Sequence, residues 1–175
     1  MEDGKFSRWP MIMITVLRVL VGWHFLYEGI AKLSSPTWTA AGYLKQARGP
    51  FSGLFRWLAG QPNLLANADV ITMWGLTIVG LLLILGLFTR LASIGAMGFL
   101  AMFYFATPPF VGYFYSLPSE GSYLLVNKNL VEFAALLVIL TTGSGKFAGL
   151  DRIVHRLVAG FRRRPLAASA KSPAA

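Results

Sequence analysis

The chain has 175 residues, of which 55% are hydrophobic and 13% charged, with mean hydropathy +0.59 and net charge +9. That apolar content exceeds what a soluble domain of this size can bury, so the class is a polytopic membrane protein. The absence of cysteine excludes thiol–disulfide chemistry, cysteine-ligated iron–sulfur clusters and covalently attached haem.

A short N-terminal segment, residues 1–9, precedes the first apolar run, Pro10 to Leu33. That run is long enough to span a bilayer core, which takes about 20 helical residues. It is not a cleavable signal, being too long and holding Arg18, His24, Glu28 and Lys32. His24, Glu28 and Lys32 follow an i, i+4, i+8 pattern and form one stripe, flanked by Trp23 and Tyr27. Arg18 is offset from Glu28 by about 80° and fits the same broad inward face.

The following outer loop, residues 34–69, is too long for a simple connector. Within GPFSGLFRWLAG, Phe51, Leu54, Phe55 and Leu58 recur at helical spacing after Pro50, which predicts a short amphipathic helix. Such a helix serves either as an interfacial anchor or as a lid over the bundle mouth. Asp69 is expected as an interfacial or capping carboxylate.

Spans two and three are read at Val70 to Phe88 and Leu91 to Phe110. The turn Thr89–Arg90 joins them, and Pro108 and Pro109 end the third. Small residues at Ala92, Gly95, Ala96 and Gly98 favour close helix contact. A fourth span is read at Leu124 to Thr142, with Asn127, Lys128, Asn129 and Glu132 near its start. The expected fold is therefore all-α, a membrane four-helix bundle. Residues 143–164 form a basic amphipathic segment whose apolar face holds Ile153, Val154, Leu157, Val158 and Phe161, and residues 165–175 are expected to be disordered.

Positive residues give the orientation. Lys5, Arg8, Arg90, Lys146, Arg152, Arg156, Arg162, Arg163, Arg164 and Lys171 fall on one side; Lys32, Lys45, Arg48, Arg56 and Lys128 fall on the other. Both termini are expected in the cytoplasm, in a bacterial-type inner membrane. The charge at membrane flanks points to anionic lipid rather than to nucleic acid.

Spans one and four thus carry polar stripes at matching depth. The expected pairs are Glu28 with Lys128, and Glu132 with Lys32 or Arg18. Three cations outnumber two carboxylates, which suits a small anion or a quinone carbonyl. The same charges can instead lock the bundle, and His24 reads either as a hydrogen-bonding group or as a proton carrier. Trp23, Tyr27, Trp74 and Tyr104 are candidates to stack on a quinone. The only histidines, His24 and His155, are placed on opposite sides, so neither haem nor a metal site is expected.

Four blocks, LRVLVGWHFLYEGIAKL, PTWTAAGYLKQARGPFSGLF, WGLTIVGLLLILGLFTRLASIGA and NKNLVEFAALLVILTTGSGKFAGLD, cover most of Leu17 to Asp151. The combination resembles the DoxX/DoxD family. The resemblance implies a four-helix membrane protein linked to thiosulfate:quinone oxidoreductase, whose membrane subunit belongs to this family. It implies a quinone, thiosulfate as a small anion, and a partner oxidoreductase subunit; the quinone is expected to be ubiquinone or menaquinone, and a homo-oligomer is a separate expectation. The resemblance implies a carboxylate after the Trp-Gly of span two in many relatives; here Trp74-Gly75 is followed by Leu76, which weakens the thiosulfate reading and leaves Glu28 and Glu132 as candidates.

Three functions are carried forward. In the first, a quinone-binding redox subunit, His24, Glu28 and Glu132 handle protons, while Arg18, Lys32, Lys128, Asn127, Asn129, Trp23 and Tyr27 bind substrate or quinone. The second is a non-catalytic anchor or assembly factor for a partner dehydrogenase, docked on the outer loop. The third, a small-solute or anion transporter, lacks support from any internal repeat.

Overall fold

The computed structural model describes residues 8–110, 112, 115 and 124–162, with side chains followed to residue 156. Among them every regular element is a helix: α1 (Arg8–Leu33), α2 (Ala41–Lys45), α3 (Ser52–Ala59), α4 (Pro62–Leu85), α5 (Thr89–Ala106), α6 (Lys128–Thr142), α7 (Ser144–Phe147) and α8 (Asp151–Arg162). Helices α1, α4 and α5 are long and apolar enough to cross a membrane. Large apolar side chains such as Leu20, Ile71, Ile78 and Leu91 stay exposed on their outer faces. On a water-soluble protein such a belt is an aggregation liability; against lipid it is the expected surface. The chain is an all-α membrane protein.

Local chemistry sets each helix end. Helix α4 starts at Pro62 rather than Val70, because Pro62 occupies the first turn, where its missing N–H costs nothing. It stops where Gly86 turns left-handed (φ 63°) and Leu87 N–H donates to Leu82 O at 3.0 Å. The turn into α5 is therefore Gly86–Phe88, and Thr89 and Arg90, expected in the turn, already belong to the helix. Helix α5 ends at Ala106 rather than Phe110, since Thr107, ahead of Pro108, is pushed out of the helical region to φ −128°. Helix α6 begins at Lys128 rather than Leu124. Asn127 caps it by accepting from Leu130 N–H, and left-handed Gly143 ends it after 15 residues. At about 1.5 Å per residue, α6 is shorter than the other three. The expected tail at 165–175 and the first seven residues lie outside the described residues, as do the side chains of Leu157, Val158 and Phe161.

The seam between α1 and α4 is the most extensive helix contact. The two run antiparallel, and a Cβ added at Gly22 would lie 2.9 Å from Leu83 Cβ and 3.0 Å from Gly80 O. A Cβ at Gly29 would collide with the Thr77 backbone, and one at Gly80 with the Leu26 backbone. Small residues thus let backbone meet backbone, the usual way to gain packing energy between helices in lipid. Helix α5 packs on α4, and α6 on α5 and α1, closing a ring of four helices. Its core holds Val21, Phe25, Leu76, Leu83, Ala92, Ala96, Leu100, Leu136 and Ile139.

The two ends of this ring differ. At the loop end, α2 and α3 fold back on α5, burying Leu44, Ala47, Phe55, Ala59 and Ala106 in a second core. The loop is pinned there by Arg48 N–H donating to Ala106 O at 3.0 Å and Tyr43 Oη donating to Phe103 O at 2.8 Å. Asp69 Oδ1 accepts from Ala40 N–H at 2.8 Å, ahead of α2. At the other, closed end, the segment between α7 and α8 crosses the α4–α5 turn: Leu150 N–H donates to Leu85 O (3.1 Å), and Asp151 N–H to Gly86 O (2.9 Å).

Gly80→Leu tests the seam. It should cost about 1–3 kcal/mol or more through overpacking and lower the thermal midpoint in detergent. Gly98→Ala, where an added Cβ meets nothing within 4 Å, should leave the midpoint unchanged or raise it. Equal midpoints for the two variants would contradict the close approach.

Candidate functional site

A cavity of about 1070 Å³ lies at the loop end, bounded by α1, α4, α5 and α6 and covered by α2 and α3. His24, Glu28 and Lys32 of α1 line one wall; Asn127, Lys128, Asn129 and Glu132 line the facing one. Phe25, Leu76, Leu100 and Phe103 form the apolar part, and Leu44, Phe55 and Leu58 contribute from the loop helices. Helix α3 turns Phe55 inward and leaves Leu54 and Trp57 exposed, so it covers the cavity and presents an apolar outer face at the same time.

The charged groups form a chain rather than the expected cross-pairs. Glu132 Oε1 lies 2.5 Å from His24 Nδ1. A carboxylate accepts, so Nδ1 carries the hydrogen. The other ring nitrogen, Nε2, lies 4.0 Å from Glu28 Oε1. Glu28 in turn pairs with Lys32, whose ammonium also donates to Glu28 O at 3.3 Å and sits 5.7 Å over the Trp38 ring. The expected pairing of Glu28 with Lys128 is therefore replaced by an intrahelical i, i+4 pair, for which no second helix has to supply a partner. The expected pairing of Glu132 with Lys32 or Arg18 is replaced by His24, which stands directly across from it. Lys128 interacts electrostatically with His24 and Glu28, yet no described carboxylate lies within ion-pair distance of it. Among the described residues, buried Glu132 Oε2 has no hydrogen-bond partner.

Several sequence candidates lie elsewhere. Arg18 is 2% exposed at the closed end, and its Nη2 donates to Ala148 O at 2.6 Å. Trp23 and Tyr27 are 61% and 62% exposed on the far side of α1, facing lipid, and Trp74 is 53% exposed on α4. None of these lines the cavity. For Trp23 and Tyr27 the reason is angular: the stripe from His24 to Lys32 has limited width, and positions 23 and 27 fall roughly 100° from it. Tyr104 Oη donates to Leu125 O at 2.9 Å, tying α5 to the segment ahead of α6. Asn127 both lines the cavity and caps α6.

Tyr43 is a cavity residue that the sequence pattern did not single out. The one available signal is a lone phenol within the short apolar stretch AAGYL. Its hydroxyl lies between Phe103 O and Thr107 Oγ1, 2.8 Å from each. Burial pushes its pKa up to about 12, although the Thr107 hydrogen bond acts the other way.

These features define an all-helical membrane protein with a polar, carboxylate-containing cavity under a loop-borne cover. Residues 13–168 match the family model described as TQO small subunit DoxD, and the chain belongs to that family. No curated protein and no solved structure matches it.

The Tyr43 environment has a pH signature. In the unfolded chain the phenol ionises near its ordinary value of 10.0, and in the folded protein only near 12. Its stabilising contribution is complete below pH 10 and is lost as the pH rises towards 12. Tyr43→Phe should cost about 1 kcal/mol at neutral pH. The gap in thermal midpoint between the two proteins should narrow across that alkaline window. A gap that stays constant there would contradict the buried, neutral phenol.

Proposed function

We propose that the chain is the quinone-handling membrane subunit of a thiosulfate:quinone oxidoreductase-type assembly, with its loop end outside the cytoplasm. The observation that carries this reading is the continuous line Glu132–His24–Glu28–Lys32 along the wall of one cavity. Membership of a family described as the small subunit of TQO supports it.

The residues present fit a quinone head group. The volume is at the upper end of ordinary ligand sites. Phe25, Leu76 and Leu100 offer apolar contact for a ring, Lys128 offers an ammonium donor with no ion-pair partner among the described residues, and Glu132 Oε2 has no hydrogen-bond partner among them. When bound, a quinone accepts electrons and takes up protons as it is reduced. Lys128 donates a hydrogen bond to an acceptor oxygen and so orients the ring. Glu28, whose side chain is 42% exposed, exchanges protons with water at the mouth. His24 takes a proton on Nε2 and releases the one on Nδ1 to Glu132 Oε1, across 2.5 Å. Glu132 presents the proton inside the cavity. A histidine between two carboxylates suits such a relay, because its two nitrogens can hold and release protons alternately. Asn129 and Asn127 complete the polar wall opposite α1. Electrons come from the partner side of the assembly, where thiosulfate is the reductant, and the exposed apolar face of α3 is available for a partner subunit.

Glu132→Gln tests the relay. In membranes carrying the whole assembly, thiosulfate-dependent quinone reduction should fall by about 100-fold, with quinone still bound by the folded variant. Lys128→Gln should weaken quinone binding about tenfold, the scale of one hydrogen bond to a charged group, ~1.5 kcal/mol. Full turnover in a folded Glu132→Gln protein would overturn the proton role. A folded wild-type chain with no affinity for quinone would overturn the whole reading.

A further inference from the structure

Buried polar atoms without partners gather at the closed end. Among the described residues they are Arg18 Nε and Nη1, Thr89 Oγ1, Ser93 Oγ and Ser144 Oγ; the remaining one, Glu132 Oε2, belongs to the cavity. All four residues are nearly inaccessible: Ser93 and Ser144 at 0%, Arg18 at 2% and Thr89 at 3%. Proteins rarely leave such groups unpaired, and lipid surroundings offer no rescue.

The elements bearing these groups meet at one place. Arg18 Nη2 reaches Ala148 O, just past α7, and α7 packs against α1. Next to Ser144, Gly145 lies so close to α5 that an added Cβ would collide with the Thr89 hydroxyl and the Asp151 carboxylate. Ser93 follows Thr89 by one turn on the same face of α5. A guanidinium and three hydroxyls, carried by α1, α5 and α7, therefore lie at the end of the bundle where the chain crosses from α7 to α8.

We infer that this end encloses a binding site for ordered water, coordinated by Arg18 Nε and Nη1 and by the hydroxyls of Thr89, Ser93 and Ser144. Each hydroxyl can both donate and accept, whereas Arg18 only donates, so a water oxygen completes both kinds of bond. Charge separates water from an anion. Asp151 already holds a negative charge beside Arg18, accepting from Phe88 N–H at 2.7 Å and Thr89 N–H at 3.0 Å. An added anion would add to the negative charge that Asp151 already brings near Arg18, while water adds none. Arg18 is thus a positioning residue for the α7–α8 segment, whatever the cavity at the other end binds.

The sign of a stability change tests this. Ser93→Ala and Ser144→Ala remove only a hydroxyl, and both should fold. A hydroxyl with no partner costs stability, so its removal would be neutral or stabilising. A hydroxyl holding site water contributes, so each variant should lose about 2–4 °C in thermal midpoint. A crystal structure grown in bromide supplies the direct readout. Water density within hydrogen-bond distance of Arg18 and at least one of the hydroxyls supports the site. Unchanged or raised midpoints, an empty site, or an anomalous bromide peak beside Arg18 would each overturn it.

Discussion

Glycines 22, 29 and 80 let α1 and α4 approach until backbone meets backbone, and this contact sets where every polar group of α1 points. With the glycine face of α1 locked onto α4, the stripe of His24, Glu28 and Lys32 is rotated by roughly 100° towards α6 and the cavity. Trp23 and Tyr27 are turned to lipid by the same rotation. Larger residues in the seam would separate the helices and release that rotation. The charged stripe tolerates its membrane position because α6 supplies Glu132 at the matching level and the loop helices cover the mouth. In a medium where ionisable groups are costly, a fixed rotation is what keeps them off the lipid face.

The two ends of the helical ring solve the polar-group problem differently. At the loop end, ionisable groups line open space, one carboxylate oxygen lacks a partner, and the cover is built from two short helices resting on α5. At the closed end, Arg18, Asp151 and three hydroxyls are enclosed by backbone contacts between Gly86, Leu85 and the α7–α8 segment. One end encloses a cavity lined by ionisable groups, and the other is tied together by backbone contacts. Arg18 belongs to the second group although it shares α1 with the first.

Helix class, the apolar runs and the i, i+4 stripe were legible because they rest on periodicity and length. That α1 and α6 carry polar stripes at matching depth followed from position along the chain alone. The pairing did not, since a one-dimensional pattern cannot weigh an intrahelical partner such as Lys32 against one on another helix. Arg18 was misplaced for a related reason: its angle fits the inward face, but its distance along α1 carries it to Gly86 and Ala148. Where hydropathy and capping signals disagree, the helix ends follow the caps. Pro62, Asn127 and the Thr107–Pro108 step were all visible signals. Tyr43 was not legible, because its place in the cavity depends on how a long loop folds back.

The proposed seat of the quinone head group lies between α1 and α6, beneath the loop helices. The most direct measurement is photo-crosslinking of the intact protein in native membranes with an azido-quinone, mapped by mass spectrometry and competed with unmodified quinone. Competable labelling confined to peptides containing His24 to Lys32, Asn127 to Glu132, or the α2–α3 cover is the predicted result. Labelling spread over the lipid-facing side of α4, or label that unmodified quinone does not displace, would contradict it.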